Sequence, residues 1–137
     1  SMGGAIASEI AKLYPNDISK MCLWAPAFNL PEAIEYLKGH VQQAETYDHN
    51  GFEISNAFVE DIISRNFYKN LDIYQNNLMI IHGTKDTTVP FAISKKYLQG
   101  FSNPQFYPIE GATHNYDALP HIKEVIKLTY QFFTDTL

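Results

Sequence analysis

The chain has 137 residues, 45% of them hydrophobic and 18% charged, the balance of a globular domain and not of a disordered tail. A net charge of -5 without any basic run argues against nucleic acid and anionic membranes as partners. The apolar runs are far shorter than the roughly 20 residues that span a bilayer, and the single cysteine, Cys22, excludes an intrachain disulfide and a multi-cysteine metal site.

The first predicted element is a helix over residues 2–14. Ile6, Ile10 and Leu13 recur at helical spacing with alanines between them, and Tyr14-Pro15-Asn16-Asp17 stops it. Residues 18–25 form an apolar run that predicts a buried parallel strand, with Cys22 as a buried structural thiol. The stretch from Phe28 to about Asn76 breaks the rhythm. It carries a predicted helix at 31–39, a hairpin signal at Asn50-Gly51 and an amphipathic helix at 56–66 with Phe58, Ile62 and Ile63. It is longer than a crossover needs and reads as an insertion, although a pair of crossover helices would also account for it. Strands follow at 78–82 and 105–109. Pro90 opens a helix over 90–101 with Ile93, Tyr97 and Leu98 on one face, and a closing helix covers 120–134. Helices alternating with buried strands predict an α/β fold with a parallel sheet. The α/β core is then 1–27 with 77–137, and 28–76 is the insertion.

Three segments carry chemistry, and each lies on a turn beside a predicted strand or helix. Ser1-Met2-Gly3-Gly4 opens the first helix, Asp86 lies in His82-Gly83-Thr84-Lys85-Asp86-Thr87-Thr88-Val89-Pro90, and His114 lies in Glu110-Gly111-Ala112-Thr113-His114-Asn115-Tyr116. A serine hydroxyl is a poor nucleophile at neutral pH. It needs a base to take its proton, and the base needs a third group to fix its tautomer. Gly3 and Gly4 give room for a tight turn. Read alone, Ser1 is also a good helix N-cap, and Asp86 is also an ordinary turn aspartate. His82 lies within a strand and reads as structural. His40, His49 and His121 lie on polar or capping segments and read as solvated. No pair of histidines has helical ligand spacing and no cysteine cluster accompanies them, so no metal is expected.

Taken together, the three segments resemble the α/β-hydrolase family from its nucleophile elbow to its C-terminus. The resemblance implies Ser1 as nucleophile, His114 as base and then acid, Asp86 as the residue that orients it, and the Met2 backbone N–H as an oxyanion donor. It also implies an acyl-enzyme that water resolves, no cofactor, and the insertion as a small cap. Within the family the motifs are most similar to the cinnamoyl and feruloyl esterases, which implies a small-molecule ester of a hydroxycinnamic acid as substrate. The high aromatic content fits either a well-filled core or a pocket for a flat apolar substrate. Phe28 and Val89 are candidates to line that pocket, and Tyr47 and Asp48 to meet a phenolic hydroxyl.

The family pattern places further strands and a second oxyanion donor ahead of the serine. The chain thus resembles the C-terminal half of such an enzyme, and the missing half or another chain is expected to complete its sheet. The sequence shows no leader segment, which favours a cytoplasmic location, although the resemblance puts the true N-terminus upstream. Alternatives sharing the triad are a peptidase or a thioesterase. Outside that chemistry stand a non-catalytic remnant that binds through its open sheet edge, and an enzyme using the Ser1 amine as base.

Overall fold

The computed structural model describes residues 1–40, 46–49 and 51–136, without the side chains of 37–40, 47 and 49. The chain divides into two compact units, Ser1–Phe28 with Phe67–Leu137, and Asn29–Asn66.

The larger unit is built on a parallel sheet. Its strands are β1 (Lys20–Trp24), β4 (Asn77–Gly83) and β5 (Gln105–Ile109), in the order β1-β4-β5. β4 is central and buried from Leu78 to Gly83. That burial on both faces is why it reads as an unbroken apolar run. β5 pairs only with β4 among the described strands and carries an exposed Pro108, which lacks an N–H and suits a strand edge. β1 is shorter than the predicted 18–25 and alternates, with Met21 and Leu23 buried and Cys22 and Trp24 half-buried. Cys22 is therefore not the fully buried thiol expected. Its Sγ lies 3.6 Å from Thr129 Oγ1, and Trp24 Nε1 donates to the same hydroxyl at 2.9 Å. Thr129 belongs to α5 (Leu119–Phe133), so α5 covers this face of the sheet. Met79, Ile81, Ile109, Val125 and Phe132 form the core between them.

The opposite face meets α4 (Phe91–Leu98), which presents Ser94 and Tyr97 as its buried residues. In α1 (Met2–Leu13) the buried Ser8 hydroxyl donates to the Ala5 carbonyl at 2.7 Å. The buried side chains of this helix are Ala5, Ser8 and Ala11. The residues whose spacing marks the helix lie on its other side: Ile6, Ile10 and Leu13 are 45%, 43% and 71% exposed. The helix is the one that the spacing predicts, ending one residue earlier at Leu13. Small residues let a helix axis approach its neighbours, and here they mark the packed side.

Residue 28 and the last part of the stretch read as an insertion, 67–76, belong to the larger unit. Phe67 and Tyr68 join Phe28 and Tyr97 in an aromatic cluster, with Phe28 stacked on Tyr97 at a centroid distance of 3.7 Å. Lys12 donates to the Phe67 and Lys69 carbonyls, and Asn76 Nδ2 donates to the Pro15 and Ile18 carbonyls. These bonds tie 67–76 to the turn between α1 and β1.

The smaller unit contains α2 (Leu30–His40), the antiparallel pair β2 (Thr46–His49) and β3 (Phe52–Ser55), and α3 (Asn56–Ser64). Ile34, Val59 and Ile62 make its core. Ser55 caps α3 by accepting from the Phe58 N–H at 3.2 Å. The two strands pair as the hairpin signal requires. Gly51 holds φ at 85°, in the left-handed region that glycine enters at little cost, while Asn50 lies outside the described residues.

Candidate active site

In a parallel sheet all strands end at one edge, where loops can converge side chains from separate segments. Asp86 lies in the loop after β4 and His114 in the loop after β5. The two loops are joined by main-chain bonds from Thr84 N to Ile109 O and from Lys85 N to Ala112 O, both 3.0 Å, and the Gly111 N–H donates to the Thr84 side-chain Oγ1 at 2.8 Å. Gly83 makes the approach possible. A Cβ there would sit 2.3 Å from the Ala112 carbonyl oxygen.

Asp86 is buried, and its carboxylate receives four hydrogen bonds. Oδ1 accepts from the Thr88 and Val89 N–H groups at 2.9 and 2.8 Å. Oδ2 accepts from His114 Nδ1 at 2.7 Å and lies 3.1 Å from His82 Nε2. Burial alone would raise its pKa. The bonds from His114 and from the Val89 and Thr88 amides outweigh that and hold the carboxyl below the ordinary carboxylate range. Asp86 is therefore ionised at neutral pH, and it fixes the tautomer of His114 with the proton on Nδ1.

The His114 loop is braced on both sides. Thr113 Oγ1 donates to Asp117 Oδ2 at 2.7 Å, and the Tyr116 hydroxyl donates to the Ile81 carbonyl at 3.0 Å. Tyr116 has φ 54°, uncommon for a bulky residue, and its ring packs edge-on against Trp24. Burial, chiefly, pushes the Tyr116 hydroxyl pKa well up, with the Asp86 charge acting in the same direction. The hydroxyl thus stays a donor.

Ser1 sits at the start of α1, beside the end of β1. Its amino nitrogen donates to the Trp24 carbonyl at 2.9 Å, and its carbonyl accepts from Gly4 N and Ala27 N. Its exposed side chain makes no capping bond to α1, so the helix-cap role does not account for it. Met2 is the first residue of the helix, where main-chain N–H groups point outward along the axis. Only one of the two glycines answers a steric need: a Cβ on Gly4 would meet Pro26 Cβ at 2.9 Å, whereas Gly3 faces open space. The structure thus brings Asp86 and His114 into direct contact and holds Ser1 at the same edge of the sheet.

His82 is the residue whose part the sequence reading understated. It is buried within β4, as expected, yet its ring reaches the acid. Nε2 contacts Asp86 Oδ2 and, at 2.9 Å, the Val89 carbonyl, while Nδ1 lies 2.7 Å from Ser94 Oγ. Burial lowers its pKa, so the ring is neutral at pH 7. Two acceptors on Nε2 put the proton there, and Nδ1 then accepts from Ser94. The available signal was the four-residue spacing of His82 and Asp86, which places both at the strand end.

The residues expected to meet substrate are placed differently. Phe28 and Val89 are 1% and 3% exposed and present almost no side-chain surface. Phe28 is committed to the aromatic cluster, and the Val89 main chain serves Asp86 and His82. Asp48 is exposed in β2, where it lies 3.4 Å from the Gly51 N–H. The side chains of Tyr47, His40 and His49 lie outside the described residues, and His121 is half-buried rather than solvated. Among the described residues no group of three or more His, Cys, Asp or Glu is arranged to hold a metal ion. No helix in them is long and apolar enough to cross a membrane.

No protein-family model and no curated protein sequence matches the chain. Solved structures do. Est1E from Butyrivibrio proteoclasticus aligns with a TM-score of 0.86 at 22% identity, over 99% of this chain and 58% of that one. Est1E with ferulic acid bound aligns at 0.82, also 22% identical, over 98% and 57%. The mouse alpha/beta hydrolase domain-containing protein 10 aligns at 0.74 and 16% identity, over 100% and 60%. The chain therefore spans under two thirds of the structures it resembles.

Proposed function

From the α/β-hydrolase fold that this chain has, we propose that it is the part of a serine hydrolase carrying the complete triad, Ser1, His114 and Asp86, and that the whole enzyme cleaves carboxylic esters. The observation that carries this reading is the 2.7 Å bond from His114 Nδ1 to Asp86, on the edge of the sheet where Ser1 also lies. His114 Nε2 takes the Ser1 proton as Oγ attacks the ester carbonyl. The Met2 N–H donates to the oxyanion, and His114 then returns the proton to the leaving alcohol. Water, deprotonated by the same nitrogen, releases the acid from the acyl-enzyme. Asp86 stabilises the imidazolium in both steps.

We assign the 29–66 unit the role of a cap, with Tyr47 and Asp48 as contacts for a phenolic hydroxyl. We take hydroxycinnamoyl esters as the substrate class. The support is the ferulic acid bound to Est1E together with the motifs around Asp86 and His114. The second oxyanion donor and the remaining strands come from sequence outside residues 1–137. The test uses the full-length natural polypeptide. A fluorophosphonate probe should label Ser1, and Ser1→Ala should abolish both labelling and turnover of methyl ferulate. Labelling at another serine sinks the triad. Correct labelling with preference for a thioester or peptide leaves the triad standing and removes the substrate class.

A further inference from the structure

Asp86 has to do more than be charged. Its carboxylate must hold one plane, so that the His114 ring stays aimed. Oδ1 is fixed from the main chain by Thr88 and Val89. Among the described residues Oδ2, the oxygen that His114 uses, has no main-chain donor. The remaining group on it is His82 Nε2, at 3.1 Å. His82 is itself held from its far side by Ser94 Oγ at 2.7 Å, and edge-on by the Phe91 ring at a centroid distance of 5.6 Å. Both His82 and Ser94 are wholly buried.

We propose that Ser94 and His82 form a buried positioning relay for the acid: the Ser94 hydroxyl donates to His82 Nδ1, and the His82 Nε2–H donates to Asp86 Oδ2, locking the oxygen that orients His114. The simpler role for His82 is to satisfy the Val89 carbonyl, 2.9 Å from the same nitrogen. That role leaves the Ser94 contact and the aim toward Oδ2 unexplained. A neutral ring suits the relay. It supplies one N–H to the carboxylate without adding a competing positive charge beside the base, and burial keeps it neutral. A bond from a fixed donor to a buried carboxylate is among the stronger hydrogen bonds in a protein. Neither His82 nor Ser94 touches substrate in this scheme, and both act through Asp86.

This inference rests on the triad reading, and the experiment separates the two. In the full-length polypeptide, His82→Leu, His82→Gln, Ser94→Ala and Asp86→Asn are compared for kcat and KM on a soluble ester. The His114 Nδ1–H proton is followed by NMR. His82→Leu should lower kcat roughly ten- to a hundredfold, the loss expected for one hydrogen bond to a charged group, with KM within about twofold. His82→Gln presents an amide N–H at a similar reach and should recover most of that loss. Ser94→Ala removes only the hydroxyl and should cost several-fold in kcat. It carries the test if His82→Leu does not fold. In both His82→Leu and Ser94→Ala the His114 proton resonance should shift or broaden. The relay is overturned if Ser94→Ala and the folded His82→Leu keep kcat within about twofold while Asp86→Asn is inactive. It is equally overturned if His82→Gln falls as far as His82→Leu, because packing alone then explains the position. Turnover surviving in Asp86→Asn would instead remove the triad itself, and the relay with it.

Discussion

At the scale of single residues, Asp86 concentrates the demands of the site. Four donors surround its two oxygens, and an amide in its place cannot serve them all. Asp86→Asn sets an NH2 group against a main-chain pair or against two ring nitrogens that carry protons. It should cost about 1–3 kcal/mol of stability through groups left unpaired, measured by chemical denaturation, and turnover should fall by about four orders of magnitude. Tyr116→Phe is gentler. It removes the bond to the Ile81 carbonyl, and about 1 kcal/mol is the expected loss, with the His114 loop less firmly held and kcat reduced more than KM. The meeting of Asp86 and His114 was legible in the sequence because both lie in local motifs at strand ends. The part of His82 was not, because a histidine inside a strand looks the same whether or not its ring reaches the next turn. Phe28 was misjudged for a related reason. Its position after a strand suggested an open pocket, but stacking on Tyr97, itself buried until its hydroxyl pKa is pushed up to about 12, decides where the ring goes.

At the scale of elements, the close approaches make sharp contrasts. Gly3 and Gly4 are adjacent in sequence and opposite in consequence. Gly3→Ala should be neutral or stabilising by up to about 1 kcal/mol, because the added methyl meets nothing and helical glycine is costly. Gly4→Ala drives a methyl into Pro26 and should lower the melting temperature and displace the helix start that bears Ser1. Thermal melts of the two variants side by side check this. Gly83→Ala is harsher still, since the obstacle is the Ala112 main chain. The element boundaries followed from pattern where tertiary context was uniform: β5 matches its predicted span of 105–109, and α5 is displaced by one residue at each end. The buried face of α1 is its small one, Ala5, Ser8 and Ala11, which hydrophobicity alone does not single out because it ranks Ile6 above Ala5.

For the whole molecule, two consequences concern surface and acidity. Ile6, Ile10 and Leu13 stand exposed on α1, and β1 pairs only with β4 among the described strands. An apolar stripe near an unpaired strand favours association. The 137-residue chain should self-associate with rising concentration in sedimentation experiments, and Ile6→Lys with Ile10→Lys should reduce this. On acidification, His82 and Asp86 act in the same direction. Both have pKa values depressed in the fold, so each contributes stability that is complete above its unfolded value and lost as pH falls through its folded value. Stability should decline below about pH 6.5 as unfolded histidine begins to bind protons, and decline further below about pH 4 as unfolded carboxylates do. Denaturation midpoints across that range should show the first decline disappear in His82→Gln.

The chain leaves the larger unit after Phe28 and returns at Phe67, and those two rings lie 6.0 Å apart. Departure and return through one aromatic contact make the intervening 38 residues, 29 to 66, a cassette. Its length adds little to the entropy of closing the chain, because that cost grows only with the logarithm of the loop. Whatever is grafted between the two rings inherits the same parallel sheet and the same pair of loops behind them. A library of such grafts would vary the cassette while leaving Asp86 and His114 where they are.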